Sequence, residues 1–490
     1  MGGLAGITPV AVALEYAANQ RVAVANISAG VFLAYDTTTR DTTAIDSAFG
    51  RAYLDAVRGG TTVVVSAGND GLNCKPYVSR YDWTRPNPVV STSLPCSFPA
   101  ALPAVAGYES LTTSRGGWIA VGAVDASNNL ATFSNRAGIM APYYLVAPGV
   151  NVVSTSNILS GATTTKSGTS MSAPVVSGAV ALLSQKFPYL TGSQQASILF
   201  QTATDLGVSG VDEVYGNGLL NIAQAMQPIG ALRLPSGQNV GTATKPLIGM
   251  TIGINSSVAG TVASSQVLKN AMALDLFNRS YAVDLTRVVY SNASSFSFDA
   301  LPTYSLGNLS ISTDGISGVK AIGYQLKDGW AMKLGSDSQP GTNGTYLRFS
   351  RELPMEGLTS YGIALDYGIL HAAPDASGLI NKISSVDMLG ASAWLRFDPK
   401  INESYTFGLR IPLNPVSGNV TVRAPVARTM AGDVVYQSER MGLAKDPAVA
   451  LFATYGMSGK NSSFFSQAAV ERDEMGKTSP SVTVNYVVRF

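Results

Sequence analysis

Residues Ser167-Gly168-Thr169-Ser170-Met171-Ser172-Ala173-Pro174 run straight into the apolar stretch Val175 to Leu183. A serine placed between a Gly-Thr turn and a helix start is held in the first turn. There, unpaired backbone N–H groups and the positive end of the helix dipole favour negative charge. The chemistry open to it is nucleophilic attack on a carbonyl with stabilisation of the resulting oxyanion. Pro174 suits an opening turn, because a proline there has no N–H to lose and its φ is already helical. Read alone, Gly-Thr-Ser-Met is equally an ordinary capped helix start. A second polar group of the right kind is Asn69, at the end of Val63-Val64-Val65-Ser66-Ala67-Gly68-Asn69-Asp70. Its amide can donate to a developing oxyanion, although an isolated asparagine after an apolar run is more often a turn residue.

The elements that must position these two groups are legible in the first 228 residues. Apolar runs of strand length, Val22 to Ile27, Thr62 to Val65 and Trp118 to Val124, alternate with helical patterns at Ala44 to Val57 and Ala173 to Lys186. Strand alternating with helix implies an α/β fold around a parallel sheet, with the site at the carboxyl ends of the strands.

In order and spacing, Ile119 to Asp125, Ala131-Thr132-Phe133-Ser134-Asn135, Val146-Ala147-Pro148-Gly149-Val150 and Ser167 to Gly178 resemble the second half of subtilisin-like serine peptidases. Val63 to Asp70 is similar to the strand and turn carrying that family's oxyanion asparagine, and Val24 to Gly30 to the strand lining the substrate pocket. Tyr215-Gly216-Asn217-Gly218-Leu219-Leu220-Asn221 with Ala225 looks like its closing turn and helix. The resemblance covers roughly residues 8 to 228. It implies Ser170 as nucleophile and Asn69 as oxyanion donor. It also implies that Ser28, Ala29 and Gly30 pair with substrate backbone, that Ser66, Ala67 and Gly68 form a pocket wall, and that Met171 is a target for oxidation.

The same resemblance calls for an aspartate and then a histidine ahead of the Asn26-Ile27-Ser28-Ala29-Gly30 strand. The 25 residues before it contain neither. The sequence is therefore expected to begin partway through the peptidase domain and to be nearly inert as written, since loss of the histidine from subtilisin itself lowers turnover about a million-fold. The sole histidine, His371, matches no part of the family's pattern. Lys166, four residues before Ser170, does not have the Ser-x-x-Lys order of serine–lysine enzymes.

Composition narrows the class. Charged residues make up 13% of the chain and the net charge is +2, with no Lys/Arg run, which removes the case for nucleic-acid binding. No apolar window is long enough for a transmembrane helix. Cys74 and Cys96 bracket a Pro-, Ser- and Tyr-rich loop, and their pairing as a disulfide suits an oxidising compartment. With one histidine and no CxxC spacing, neither a metal nor another cofactor is expected.

Pro228 to about Asn270 is rich in Gly, Ser, Thr and Pro and reads as a linker, 229–270. From 271 to 490 the period becomes two, as in Ser360 to Tyr367 and Ser392 to Phe397, so an antiparallel β-rich domain is expected. The last segment, Val482 to Phe490, has apolar residues at every even position and ends on an aromatic. It resembles the closing strand of bacterial outer-membrane β-barrels. Ala273 to Leu285 resembles the passenger junction of autotransporter subtilases. A soluble sheet gives the same alternation.

The reading as a whole is an incomplete subtilisin-like domain, 1–228, joined to an autotransporter-type β-domain that is either an outer-membrane barrel or a soluble sheet. It would be a secreted or surface serine endopeptidase acting on polypeptides. The alternatives are a catalytically dead subtilase scaffold serving as a surface adhesin, and a β-barrel translocator.

Overall fold

The computed structural model describes residues 7–28, 49–69, 71, 116–156, 161–241, 244–254, 256–291, 296, 298, 303–313, 319–339, 342–357, 359–372, 378–444, 449–458, 462–472 and 478–488. They divide into two compact units, 1–230 and 231–490.

In the first unit, β1 (Val24–Ile27), β2 (Thr62–Ser66), β3 (Trp118–Val124) and β4 (Tyr144–Pro148) form a parallel sheet in that order. Every residue of β2 and β3 is buried. That explains why both strands are continuous apolar runs rather than alternating ones: a parallel sheet is covered on both faces. The helix Thr169–Lys186 packs against all four strands. Val176, Ala179, Val180 and Leu183 give it one buried stripe at helical spacing. The helices Ile7–Asn19 and Phe49–Arg58 pack on each other. They bring Leu14, Ala52 and Ala56 into the core that holds Val63, Val65, Trp118 and Val146. A hairpin of β5 (Val152–Thr155) and β6 (Thr163–Lys166) leads into the Thr169–Lys186 helix and leaves Lys166 exposed at its end.

In the second unit, β7 (Arg233–Pro235), β8 (Thr244–Pro246), β9 (Ile252–Ile254) and helices Ser256–Ala263 and Gln266–Lys269 occupy the segment whose composition reads as a linker. Leu234, Ile252, Ile254, Val258, Val262 and Leu268 are buried there in one core with Val420 and Val422. Each apolar piece is too short to show a period, and the core that covers it lies about 150 residues further along the sequence. Next come β10 (Ala271–Leu274), β11 (Ser280–Val283) and β12 (Val289–Ser291). The long strands follow: β13 (Thr303–Leu306), β14 (Leu309–Thr313), β15 (Val319–Gln325), β16 (Trp330–Gln339), β17 (Thr342–Met355), β18 (Thr359–Ala372), β19 (Ile380–Ile383), β20 (Val386–Lys400), β21 (Glu403–Pro415), β22 (Asn419–Arg428), β23 (Val434–Gly442), β24 (Val449–Ser458), β25 (Ser462–Arg472) and β26 (Thr478–Val488). Eleven of them make one antiparallel sheet in the order β13-β14-β15-β16-β17-β18-β20-β21-β24-β25-β26, while β19, β22 and β23 form a separate three-stranded sheet.

Along β18 the large sheet alternates between exposed and buried positions, and across the sheet many exposed positions are apolar, the reverse of a water-soluble sheet. Leu347, Phe349, Ile363, Leu365, Leu395, Phe407, Leu409, Leu451, Val482 and Val484 lie exposed, Leu365 at 67%. The neighbouring positions Arg348, Asp366, Ser392 and Gln467 are buried. Arg348 is bidentate to Asp366, Nε to Oδ1 at 2.7 Å and Nη2 to Oδ2 at 2.8 Å. Among the described residues no helix is long and apolar enough to cross a membrane, a statement that does not concern strands.

Candidate active site

β2 ends at Ser66, and the chain then turns through Ala67, Gly68 and Asn69 beyond the carboxyl end of the strand. Gly68 has φ +102°, a conformation open to glycine at no steric cost. The turn is clamped from below by Asn135, which is fully buried. Its Nδ2 donates to the Ala67 carbonyl at 2.9 Å and its backbone N–H to the Gly68 carbonyl at 3.0 Å. Ala67 N–H donates to the Val121 carbonyl of β3. Asn69 is thereby presented on a fixed pedestal with its side chain exposed.

The second half of the site is the start of the Thr169–Lys186 helix. Gly168 precedes it at φ +154°, and its N–H is held by the Gly149 carbonyl at 2.8 Å. Gly149 can approach so closely only because it lacks a side chain. A Cβ there would overlap the Ser172 hydroxyl and lie 2.6 Å from the Ala123 Cβ.

Thr169 joins the two halves. Its N–H donates to Asn69 Oδ1 at 2.8 Å and its hydroxyl to the same oxygen at 3.0 Å, while that hydroxyl accepts from Gly68 N–H at 3.2 Å. Two donors on Oδ1 fix which way the amide faces, leaving Nδ2 as its donor arm, with the amide next to Gly168. Ser170 is half-buried, and its hydroxyl donates to the Ser28 carbonyl at 3.4 Å. A serine hydroxyl at the start of a helix and a pinned carboxamide are thus brought to the same turn. This is the constellation that tetrahedral oxyanion chemistry needs.

Of the residues the sequence pointed to, Ser28, Gly68, Asn69 and Ser170 come together, and Ser66 and Ala67 are buried directly beneath. Ala29, Gly30, Cys74 and Cys96 lie outside the described residues. His371 sits exposed in β18, opposite Asn343 and within the second unit. Three supporting residues carry no role in the sequence reading: Thr169, Asn135 and Gly149. Each stands inside a stretch whose pattern is visible, yet its function is a contact across 19 to 100 positions of sequence. Pro174 also differs from expectation. The helix begins at Thr169, so the proline occupies the sixth helical position rather than the opening ones.

Residues 4–218 match the family model described as the Subtilase family. This segment is a subtilase domain. The extracellular serine protease of Serratia marcescens is 32% identical to the chain over 193 residues, covering 35% of this chain and 16% of that protein. Subtilisin DY of Bacillus licheniformis is 36% identical over 185 residues, covering 38% of this chain and 52% of that protein. The chain therefore spans less than two thirds of either relative. The crystal structure of a lanthipeptide protease aligns with a TM-score of 0.34 at 25% identity, covering 45% of this chain and 65% of that one. In the subtilase domain the matched region contains every site residue described above.

Proposed function

We propose that the chain is part of a secreted or surface serine endopeptidase in which Ser170 is the nucleophile and Asn69, with the Ser170 N–H, binds the oxyanion. The observation that carries this reading is the Asn69 amide, fixed through Thr169 against the turn that bears Ser170. Ser170 would attack the peptide carbonyl. A histidine, oriented by an aspartate, would take the proton. Neither of those two partners is supplied at this site by the described residues. Ser28 and the 66–68 turn would flank the substrate backbone. The extracellular relative from Serratia supports placement outside the cell.

The test is to express the full-length product of the gene, including any in-frame codons upstream of Met1, and to follow casein hydrolysis and fluorophosphonate labelling. Labelling that maps to Ser170 and disappears in Ser170→Ala is the expected result. No labelling, with no in-frame Asp-[Ser/Thr]-Gly and His-Gly motifs upstream, hands the protein to the adhesin-like scaffold reading.

For the second unit, the reading is an outer-membrane β-domain of autotransporter type. Its support is the inverted alternation of the large sheet, with apolar side chains outward and ion-paired residues on the opposite face. Lipid solvates that outward face, whereas water does not.

A further inference from the structure

The carbonyl of Ser170 has a problem that follows from sequence alone. In a helix it should accept from the N–H of residue 174, and residue 174 is proline. A proline inside a helix removes that bond and crowds the carbonyl four residues before it. The peptide plane following Ser170 is therefore held at its Met171 N–H, by the Gly168 carbonyl, but lacks a helical donor at its carbonyl, although it fixes the direction of the Ser170 Cα–Cβ bond.

A side chain from another element fills the gap. The Ser28 hydroxyl donates to the Ser170 carbonyl at 3.1 Å. That hydroxyl in turn accepts from Asn26 Nδ2 at 2.8 Å. Asn26 Oδ1 accepts from the Ser177 hydroxyl at 3.1 Å, and Ser177 lies two turns along the same helix. The circuit leaves the helix at Ser170, crosses the end of β1 through Ser28 and Asn26, and returns to the helix at Ser177. In the opposite direction the Ser170 hydroxyl donates to the Ser28 carbonyl.

We propose that Ser28, oriented by Asn26, is a positioning residue: its hydroxyl stands in for the helical N–H that Pro174 lacks and sets the aim of the Ser170 nucleophile. This role belongs to the Ser28 side chain and is separate from substrate pairing by its backbone. The catalytic part of the proposal rests on the peptidase reading above; the structural part does not.

Two measurements keep these apart. In the 490-residue chain, hydrogen exchange followed by mass spectrometry is expected to show the Met171 to Ala173 amides exchanging about five- to tenfold faster in Ser28→Ala, the size of one lost hydrogen bond. Ser28→Thr keeps the original rate. Ser28→Ala combined with Pro174→Ala returns most of the protection, because residue 174 regains an N–H for the Ser170 carbonyl. An unchanged rate in Ser28→Ala, or no rescue by Pro174→Ala, overturns the proposal whether or not the protein is a peptidase. In the full-length gene product the same series is expected to lower and then restore kcat by about tenfold, with KM within twofold. A rise in KM alone would assign Ser28 to substrate binding instead. Absence of hydrolysis by the unsubstituted protein, with the exchange pattern intact, would count against the peptidase reading only.

Discussion

The proposed nucleophile is a single hydroxyl, and the oxyanion donor proposed for it is a carboxamide. Asn69 owes its orientation to two donors on one oxygen, and removing the amide removes a preorganised charge partner rather than a binding contact. Asn69→Ala in the full-length gene product is expected to lower kcat about a hundred- to thousandfold with KM nearly unchanged, measured on a chromogenic peptide; a change confined to KM would remove Asn69 from the oxyanion role. Tyr144 offers a pH test. Its hydroxyl donates to the buried Asn135 carbonyl at 2.6 Å. Burial pushes the phenol well above its ordinary value, against a smaller opposing effect from Ser134. The fold thus favours the neutral form. That stabilisation is complete below about pH 10, the value for an unfolded tyrosine, and is lost as pH rises from there toward the folded value. Tyr144→Phe is expected to melt lower at pH 7 by the loss of about 1 kcal/mol. Its melting curve should converge with that of the parent above pH 10, and curves that stay parallel would contradict the assignment.

At the scale of elements, the site depends on how closely β4 and the Thr169–Lys186 helix approach. Gly149 permits this, and its carbonyl holds the Gly168 N–H in the turn before Ser170. Gly149→Ala forces a methyl group onto the Ser172 hydroxyl and the Ala123 methyl, an overpacking cost of about 1–3 kcal/mol. The expected outcome is a lower denaturant midpoint for residues 1–230, with substrate hydrolysis reduced as well in the full-length gene product. A neutral substitution would mean that the strand end and helix can separate freely. The helices and strands around this contact were readable from periodicity. The approach distance was not, because it is set by the absence of a side chain at one position and the presence of Ser172 twenty-three positions later.

For the molecule as a whole, the decisive feature is which face of the large sheet is apolar. Leu365 projects from the exposed face of β18, whereas its neighbour Asp366 is paired with Arg348 on the other side. If lipid covers the exposed face, Leu365→Lys should cost about 2–4 kcal/mol near the bilayer centre. The yield of heat-modifiable, detergent-folded protein should then fall in gel mobility assays. If the sheet is soluble, the same change is neutral or improves solubility without detergent. The alternation of β17, β18 and β20 was evident in the sequence as period two. Which set of side chains met solvent was not evident, since both a barrel and a sandwich give that period.

The sequence by itself determined the order of strand and helix in residues 1–228 and the apolar character of the parallel strands, and it singled out Ser170 and Asn69 as the candidate pair. These are local matters of periodicity, turn chemistry and residue type. Only the tertiary structure decided that Thr169 pins the Asn69 amide, that Asn135 supports its turn, that Ser28 answers the carbonyl stranded by Pro174, and that residues 231–270 belong to a folded core. Each of these is a contact between segments far apart in the chain. A hydrogen bond or a buried side chain leaves no trace in the spacing of residues until the backbone brings its partner within reach.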